Sequence, residues 1–283
     1  MRNSKPLYKK ILKPIYRFFL VQWFLKGIQI LWHVYVYIPL HKNQYEQLKK
    51  FKNIHKGKRV FIIATAPSLR LEDVDKLKGE ITFSMNTCYR LFDKTDWRPT
   101  YYAIFDKTVL ERVEDDIKNI DFNCAFITDN MKYNGRNVYK VGLWNNWRAN
   151  STIERILCPD NLIEKQLRIS DDISEFVYAG TSVVHVIMQI CFYMGFSEIY
   201  LYGADCTISN KPHHNKLVDY KVHYKLGNDP EYINYGLMRD YERAKKYANK
   251  HGIKIFNATR GGALEKFERV DFDNILSKGD GSK

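Results

Sequence analysis

The chain has 283 residues, of which 45% are hydrophobic, so it can bury the core of one large domain or two small ones. Its formal charge of +13 is local: residues 1–59 carry 14 Lys and Arg against one Glu, and the remainder carries 31 of each sign. This balanced remainder excludes a general polyanion-binding surface and argues against nucleic acid as a partner. The five cysteines are widely spaced without a C-x-x-C pair, which predicts reduced thiols rather than disulfides or a zinc site.

The first predicted element is a long amphipathic helix within residues 14–40. Its polar residues recur at i, i+4, i+7 and i+11 and form one narrow stripe: Gln22, Lys26, Gln29 and His33. Aromatic and branched apolar residues surround the stripe, and lysines and arginines flank the segment. No small-residue cleavage site follows, so we expect the segment to be retained.

This pattern favours a peripheral anchor, residues 1–57, on the anionic cytoplasmic face of the inner membrane. Each basic residue near such a surface contributes roughly 1 kcal/mol. The alternative is a helix packed on the protein's own core or in a homo-oligomer. A spanning helix is disfavoured because Lys26 and His33 would lie near the middle of the bilayer.

From residue 58, β-rich runs alternate with helical runs. The predicted strands are KRVFIIATA, ITFSMN, TYYAIFD, NCAFITD, NVYKVGL, EIYLYGAD and IKIFNAT. The predicted helices include LEDVDKL, CYRLF, VLERVEDDIKN, 181–194 and 233–250. This alternation predicts the α/β class: a Rossmann-like, doubly wound, largely parallel sheet over residues 58–276. We interpret residues 207–235 as a lid-like insertion and residues 277–283 as a disordered tail.

Small polar residues follow the predicted strands. They are Thr65 to Ser68, Asn86, Asp106, Asp205, Asn257 and Thr259. Ligands of doubly wound sheets bind outside the carboxyl ends of the strands, so these residues would line one rim. Each of them taken alone could equally be a helix cap or a turn residue.

Gly180, Thr181 and Ser182 precede a buried predicted helix. Backbone N–H groups, two hydroxyls and the positive end of the helix dipole would together form a seat for phosphate or carboxylate there. Simple capping of the helix is the alternative. Neither a Walker A loop nor a G-x-G-x-x-G motif is present.

Five motifs in this order resemble a known family: ATAPSL (64–69), FSMNTCYRLF (83–92), YAIFD (102–106), GTSVVHVIMQICFYMGFSEIYLYGAD (180–205) and IKIFNATRGGALEKFERV (253–270). The family was formerly called domain of unknown function 115. It includes flagellin-modifying motility accessory proteins and archaeal 6-hydroxymethylpterin diphosphokinase-like enzymes. It is similar in fold and motifs to the bacterial CMP-sialic acid transferases of glycosyltransferase family 42, and the resemblance covers residues 58–276.

The resemblance implies that the loop around Ser68 and Asn86 hold nucleotide phosphate or sugar, that Thr181 and Ser182 hold phosphate or the donor carboxylate, and that Asp205 and Asn257 line the nucleotide pocket. Thr65, Asp106 and Gly180, from the strand-end and helix-start arguments, complete the predicted nucleotide- and donor-binding residues. Two departures from the family pattern stand out. Ala64 to Ser68 lacks the glycines of the related G-x-G-P-S turn, so its backbone approaches a phosphate less closely. Where the sialyltransferases have a histidine base, an ungapped alignment on Asp240 places Tyr235.

The insertion at 207–235 concentrates histidines and tyrosines. We hypothesise that His223 is the catalytic base and that Tyr224 or Tyr235 stabilises the leaving phosphate. A solvated loop histidine is the alternative. We expect no metal and no cofactor, because the adjacent pair His213 and His214 has poor metal-ligand geometry.

The sequence thus favours a membrane-associated glycosyltransferase that moves a sialic-acid-like nonulosonate. The expected partners are a CMP-sugar donor, a cell-surface glycan or glycolipid acceptor, and an anionic membrane. Two alternatives remain open. One is a magnesium-dependent diphosphokinase with Asp106 and Asp205 as metal ligands. The other is a non-catalytic scaffold that retains a nucleotide-binding fold.

Overall fold

The computed structural model describes residues 24, 28, 31, 45–128, 135–144, 169–208, 215–218 and 230–279. Within them the strands are β1 (Arg59–Ile63), β2 (Thr82–Met85), β3 (Tyr101–Ile104), β4 (Ala125–Thr128), β5 (Val138–Val141), β6 (Leu143–Trp144), β7 (Val177–Tyr178), β8 (Glu198–Tyr202), β9 (Lys254–Asn257) and β10 (Glu268–Arg269). The α-helices are α1 (Leu71–Asp75), α2 (Lys107–Ile117), α3 (Val183–Met194), α4 (Pro230–Lys250) and α5 (Phe272–Gly279). Two 3-10 helices span Glu46–Phe51 and Asn86–Leu91.

Eight strands form one sheet in the order β10-β9-β8-β1-β2-β3-β4-β5, and every pairing in it is parallel. Strands β6 and β7 form a separate parallel pair. The chain runs outward from β1 to β5 and later returns to the other side of β1 with β8. The predicted Rossmann-like, doubly wound sheet is therefore confirmed, and its topological switch point lies between β1 and β8.

Both faces of the sheet are covered, as the near-continuous apolar strands predict. Along β1, Val60 and Ile62 belong to the core cluster that also contains the apolar residues of α3 and α4. Phe61 and Ile63 point the other way and pack with residues of α1 and α5. This alternation follows from the two-residue period of a strand.

The cysteines in the described part of the chain are unpaired. Cys88, Cys124, Cys191 and Cys206 are free. Burial raises the pKa of the Cys88 thiol to about 12, which keeps it protonated and unreactive at neutral pH. Cys158 lies outside the described residues.

Two predicted boundaries differ from the structure. Helix α4 begins at Pro230, so the last six residues of the predicted lid are helical. Proline suits a first helical position because its missing N–H would have no intrahelical partner there. Helix α5 reaches Gly279, so the predicted tail starts too early, because α5 is held by Phe272, which is buried against the core.

The predicted anchor lies mostly outside the described residues. Three residues of its predicted helix are described: Phe24, Ile28 and Leu31 are helical, and their side chains are 63%, 47% and 55% exposed. Residues 45–57 are also described, and Tyr45, Leu48 and Phe51 are buried in the core of the domain, so the predicted anchor extends too far along the chain. In the part of the chain that the structure describes, every helix is too short or too polar to cross a membrane.

Candidate functional site

A cavity of about 350 Å³ opens at the rim where β3 and β4 end. Its wall consists of Phe105, Asp106, Lys107, Thr128, Leu143, Ala179, Gly180, Thr181, Ser182, Val183 and Val186. The cavity is within the size range of small-molecule sites. The N-termini of α2 and α3 both border it, so four of the predicted binding residues come together here: Asp106, Gly180, Thr181 and Ser182.

Helix α2 is capped by its own sequence. Asp106 has extended backbone angles, φ −95° and ψ 113°, and its Oδ1 accepts hydrogen bonds from Thr108 N at 2.8 Å and Val109 N at 3.4 Å. The first helical residue is Lys107, whose Nζ lies 3.4 Å from Glu111 Oε1. Asp106 therefore accepts hydrogen bonds from the N–H groups at the start of α2, as the capping alternative predicts.

Helix α3 begins without such a cap. Ser182 occupies the N-cap position with φ −135° and ψ 158°, but its side chain makes no capping hydrogen bond. The first N–H groups of a helix have no intrahelical partner. His185 N donates to Ser182 O at 3.2 Å, so the N–H groups of Ser182, Val183 and Val184 are the donors that a bound anion could use at the cavity wall.

The turn before α3 is held from a distant helix. Asp240 of α4 is 1% exposed, and its Oδ2 accepts a hydrogen bond from Thr181 N at 2.6 Å. Arg243 Nη1 and Arg239 Nε lie 3.4 and 3.7 Å from Asp240 Oδ1 and offset its charge. The Thr181 N–H is thus used by the protein and is not part of the predicted phosphate seat.

Two glycines allow this close packing. A Cβ atom at Gly236 of α4 would lie 2.5 Å from Thr181 Oγ1, and one at Gly180 would lie 2.6 Å from His185 Cδ2. His185 is fully buried, and neither ring nitrogen has a hydrogen-bond partner. Burial lowers the pKa of His185, so its imidazole stays neutral at pH 7.

At the switch point between β1 and β8, the polar groups of the loops hydrogen-bond to one another. The Asp205 carboxylate accepts from Ser68 N at 3.1 Å and from the Ser68 hydroxyl. Asn215 N donates to Thr65 O at 2.8 Å, and Asn215 Nδ2 donates to Leu69 O at 2.6 Å. The predicted binding residues Thr65, Ser68 and Asp205 are therefore held by these contacts and do not line the cavity.

The remaining rim residues have different surroundings. Asn257 is fully buried, where its Nδ2 donates to Leu264 O at 2.7 Å and its Oδ1 accepts from Thr259 N at 3.0 Å. Asn86 has φ 51°, and its backbone carbonyl accepts from the Tyr102 hydroxyl, but its buried Oδ1 has no partner. An unpaired buried acceptor costs about 1–3 kcal/mol, so Asn86 stays a candidate ligand contact.

The predicted catalytic residues are mostly not described. His223 and Tyr224 lie outside the described residues. Tyr235 lies in α4 and is 54% exposed. Across the described ranges, no three His, Cys, Asp or Glu side chains are grouped so that they could hold a metal ion.

Comparison with protein families gives one match. Residues 37–211 match the model of the family described as 6-hydroxymethylpterin diphosphokinase MptE-like. The match spans more than half of the chain. The chain belongs to this family. The matched region of the MptE-like family includes every residue of the cavity wall, whereas α4 with Asp240 follows it.

Two solved structures are similar to this family member. The MAf glycosyltransferase from Magnetospirillum magneticum AMB-1 is 14% identical with a TM-score of 0.46, over 86% of this chain and 41% of that chain. The sialyltransferase CstII from Campylobacter jejuni, solved in complex with a substrate analogue, cytidine-5'-monophosphate, is 15% identical with a TM-score of 0.42, over 76% of this chain and 85% of that chain. This chain thus spans less than half the length of the MAf glycosyltransferase. Comparison with curated proteins found no match.

Sequence reasoning missed the charged residues Lys107, in the cavity wall, and Asp240, behind it. Lys107 follows Asp106 directly, so the strand-end rule that selected Asp106 could have found it. Asp240 is 59 positions from Thr181 in the chain, and nothing in the sequence pairs them.

Proposed function

We propose that the chain is a membrane-associated glycosyltransferase that transfers a sialic-acid-like nonulosonate from a CMP-sugar donor to a cell-surface glycan or lipid-linked acceptor. The observation that carries the proposal is the cavity wall formed by the uncapped start of α3. Backbone N–H groups and the helix dipole favour an anionic ligand there, and a CMP-linked nonulosonate has both a phosphate and a carboxylate.

The proposed transfer has simple chemical needs. A base must take the proton of the acceptor hydroxyl, and hydrogen-bond donors must stabilise the departing CMP phosphate. The start of α3 can supply donors for that phosphate. His223 as the base and Tyr224 or Tyr235 as a further donor stay predictions.

Membrane attachment is supported by the exposed side of the N-terminal helix. Phe24, Ile28 and Leu31 recur at i, i+4 and i+7, so they share one face. At about 100° per residue, that face is opposite the polar stripe that contains Gln22 and Lys26. An apolar face next to many lysines suits an anionic bilayer surface, and we propose peripheral attachment at the cytoplasmic face of the inner membrane.

A diphosphokinase is the second candidate, because the family match favours it. That reaction would require Mg²⁺, with Asp106 and Asp205 as the proposed ligands. Both carboxylates already have partners: Asp106 caps α2, and Asp205 accepts from Ser68. A magnesium complex would have to share or replace these hydrogen bonds, which makes the metal-independent transferase the first choice.

Calorimetric titration with CMP, UDP, GDP and ATP, each with magnesium and with EDTA, separates the two candidates. The transferase predicts CMP binding that does not need magnesium. Preferential, magnesium-dependent ATP binding would support the diphosphokinase instead. A protein that binds none of the four would favour the scaffold.

Variants locate the binding site. Ser182→Ala and Asn86→Ala should weaken CMP binding. Ser197→Ala is a matched control, because Ser197 precedes β8 at the amino ends of the strands, away from the cavity, and its hydroxyl donates to Gly57 O at 2.9 Å. Equal CMP affinity in Ser182→Ala and Ser197→Ala would remove the Ser182 hydroxyl from the proposed site.

A further inference from the structure

Lys107 is placed where its own helix gains nothing from it. It is the first residue of α2, and a cation at a helix N-terminus opposes the macrodipole. Its ion pair with Glu111 has the lysine N-terminal to the glutamate, which is the weaker order for an i, i+4 pair. The pair is also exposed, at 63% and 61% of the side chains, so solvent screens it.

The cavity, in contrast, gains a positive charge from Lys107. Among the described residues of its wall, Lys107 is the only cation and Asp106 the only anion. Asp106 directs Oδ1 to the N–H groups of Thr108 and Val109, so part of its charge is neutralised by its own helix. The start of α3 then provides one anion-binding group of the wall, and Lys107 provides another.

We propose that Lys107 is a specificity-determining residue that binds a second anionic group of the ligand. The proposal rests on the proposed function, since it assumes a ligand whose phosphate or carboxylate occupies the start of α3. When that ligand enters, the Lys107 ammonium leaves Glu111 and pairs with the remaining anion. The site then distinguishes a nucleotide linked to an acidic sugar from one linked to a neutral sugar.

The test compares affinities of Lys107→Ala and two controls for cytidine, CMP and CMP-sialic acid. Lys118→Ala removes the same charge from the other end of α2, where Lys118 pairs with Asp115 at 3.0 Å. Glu111→Gln removes the competing carboxylate and leaves the cation. We expect Lys107→Ala to weaken binding about 5- to 20-fold, the range of a charge-assisted hydrogen bond. Lys118→Ala should match the wild type, and Glu111→Gln should bind at least as tightly.

The three ligands identify which anion Lys107 holds. A loss already seen with CMP, but not with cytidine, assigns Lys107 to the phosphate. A loss seen only with CMP-sialic acid assigns it to the carboxylate. Only the second result supports the proposal, because every CMP-sugar carries the phosphate and a phosphate contact would not distinguish an acidic sugar; the first result overturns the specificity role. Either loss should shrink at high salt because it is electrostatic.

Other outcomes overturn one or both proposals. If the wild type binds CMP-sialic acid and Lys107→Ala binds it equally well, Lys107 has no such role and the proposed function stands. If the wild type binds magnesium-ATP instead of CMP, the proposed function fails, and the same variants titrated with ATP decide the role of Lys107. Binding of no nucleotide at all overturns both.

Discussion

Helices α2 and α3 start at the same rim, on two sides of one cavity, yet their first turns are satisfied differently. Helix α2 carries its own cap, Asp106, two residues before the first N–H group that it binds. Helix α3 has a serine at the same position that makes no capping bond, and its turn is held by Asp240 from α4. Helix α2 is thus completed by its own sequence, whereas the start of α3 lacks a side-chain cap and is where we propose that the ligand binds.

The largest expected effect comes from removing the long-range support of α3. Asp240→Ala leaves Thr181 N without its acceptor and removes the carboxylate that lies next to Arg239 and Arg243. We expect the free energy of unfolding to fall by about 2–4 kcal/mol, somewhat below the loss for a fully buried pair because the arginines are partly exposed.

Urea denaturation measures this loss. Glu242→Ala on the same helix is the control, since Glu242 forms only exposed ion pairs with Lys246 and Lys266 and its loss should cost less than about 0.5 kcal/mol. Equal stability of the two variants would show that Asp240 does not hold the turn.

The next prediction contrasts the two helix starts directly. Asp106→Ala should destabilise the protein by about 1 kcal/mol, because α2 loses its cap. Ser182→Ala should leave stability nearly unchanged, because Ser182 makes no capping bond, but it should weaken CMP binding. Thermal melting and CMP titration of both variants test the pair. A stability loss in Ser182→Ala as large as that in Asp106→Ala would contradict the distinction.

The smallest expected effect concerns pH and the histidine behind the α3 turn. Burial lowers the pKa of His185, so the unfolded chain binds a proton more readily than the folded chain. The stability from keeping His185 neutral is present above its unfolded pKa, about 6.5, and is lost as the pH falls below that value.

Melting temperatures at pH 7.5 and 5.5 test this. His185→Leu should lose less stability on acidification than the wild type. A residual loss should remain, because burial, and then Lys58, also lower the pKa of His55. An unchanged acid loss in His185→Leu would mean that His185 does not contribute to it.

Much of the fold could be predicted from the sequence. The alternating β-rich and helical runs predicted the parallel, doubly wound sheet, because strand and helix periods are local properties of the chain. The strand-end rule selected Asp106, and the start of a buried helix selected Gly180, Thr181 and Ser182; the structure brings these four residues to one cavity. The strand-end rule also selected Thr65, Ser68, Asp205 and Asn257, which form hydrogen bonds within the protein.

The sequence by itself determined what depends on near neighbours: the element order, the shared rim of the strands, the Asp106 cap, and the Lys107 cation beside it. Only the tertiary structure decided which rim groups stay free. Asp205 reaches Ser68 across 137 positions, and Asp240 reaches Thr181 across 59. A hydrogen bond needs donor and acceptor within about 3 Å, and no local pattern encodes contacts between residues that approach each other only after the sheet and helices have packed.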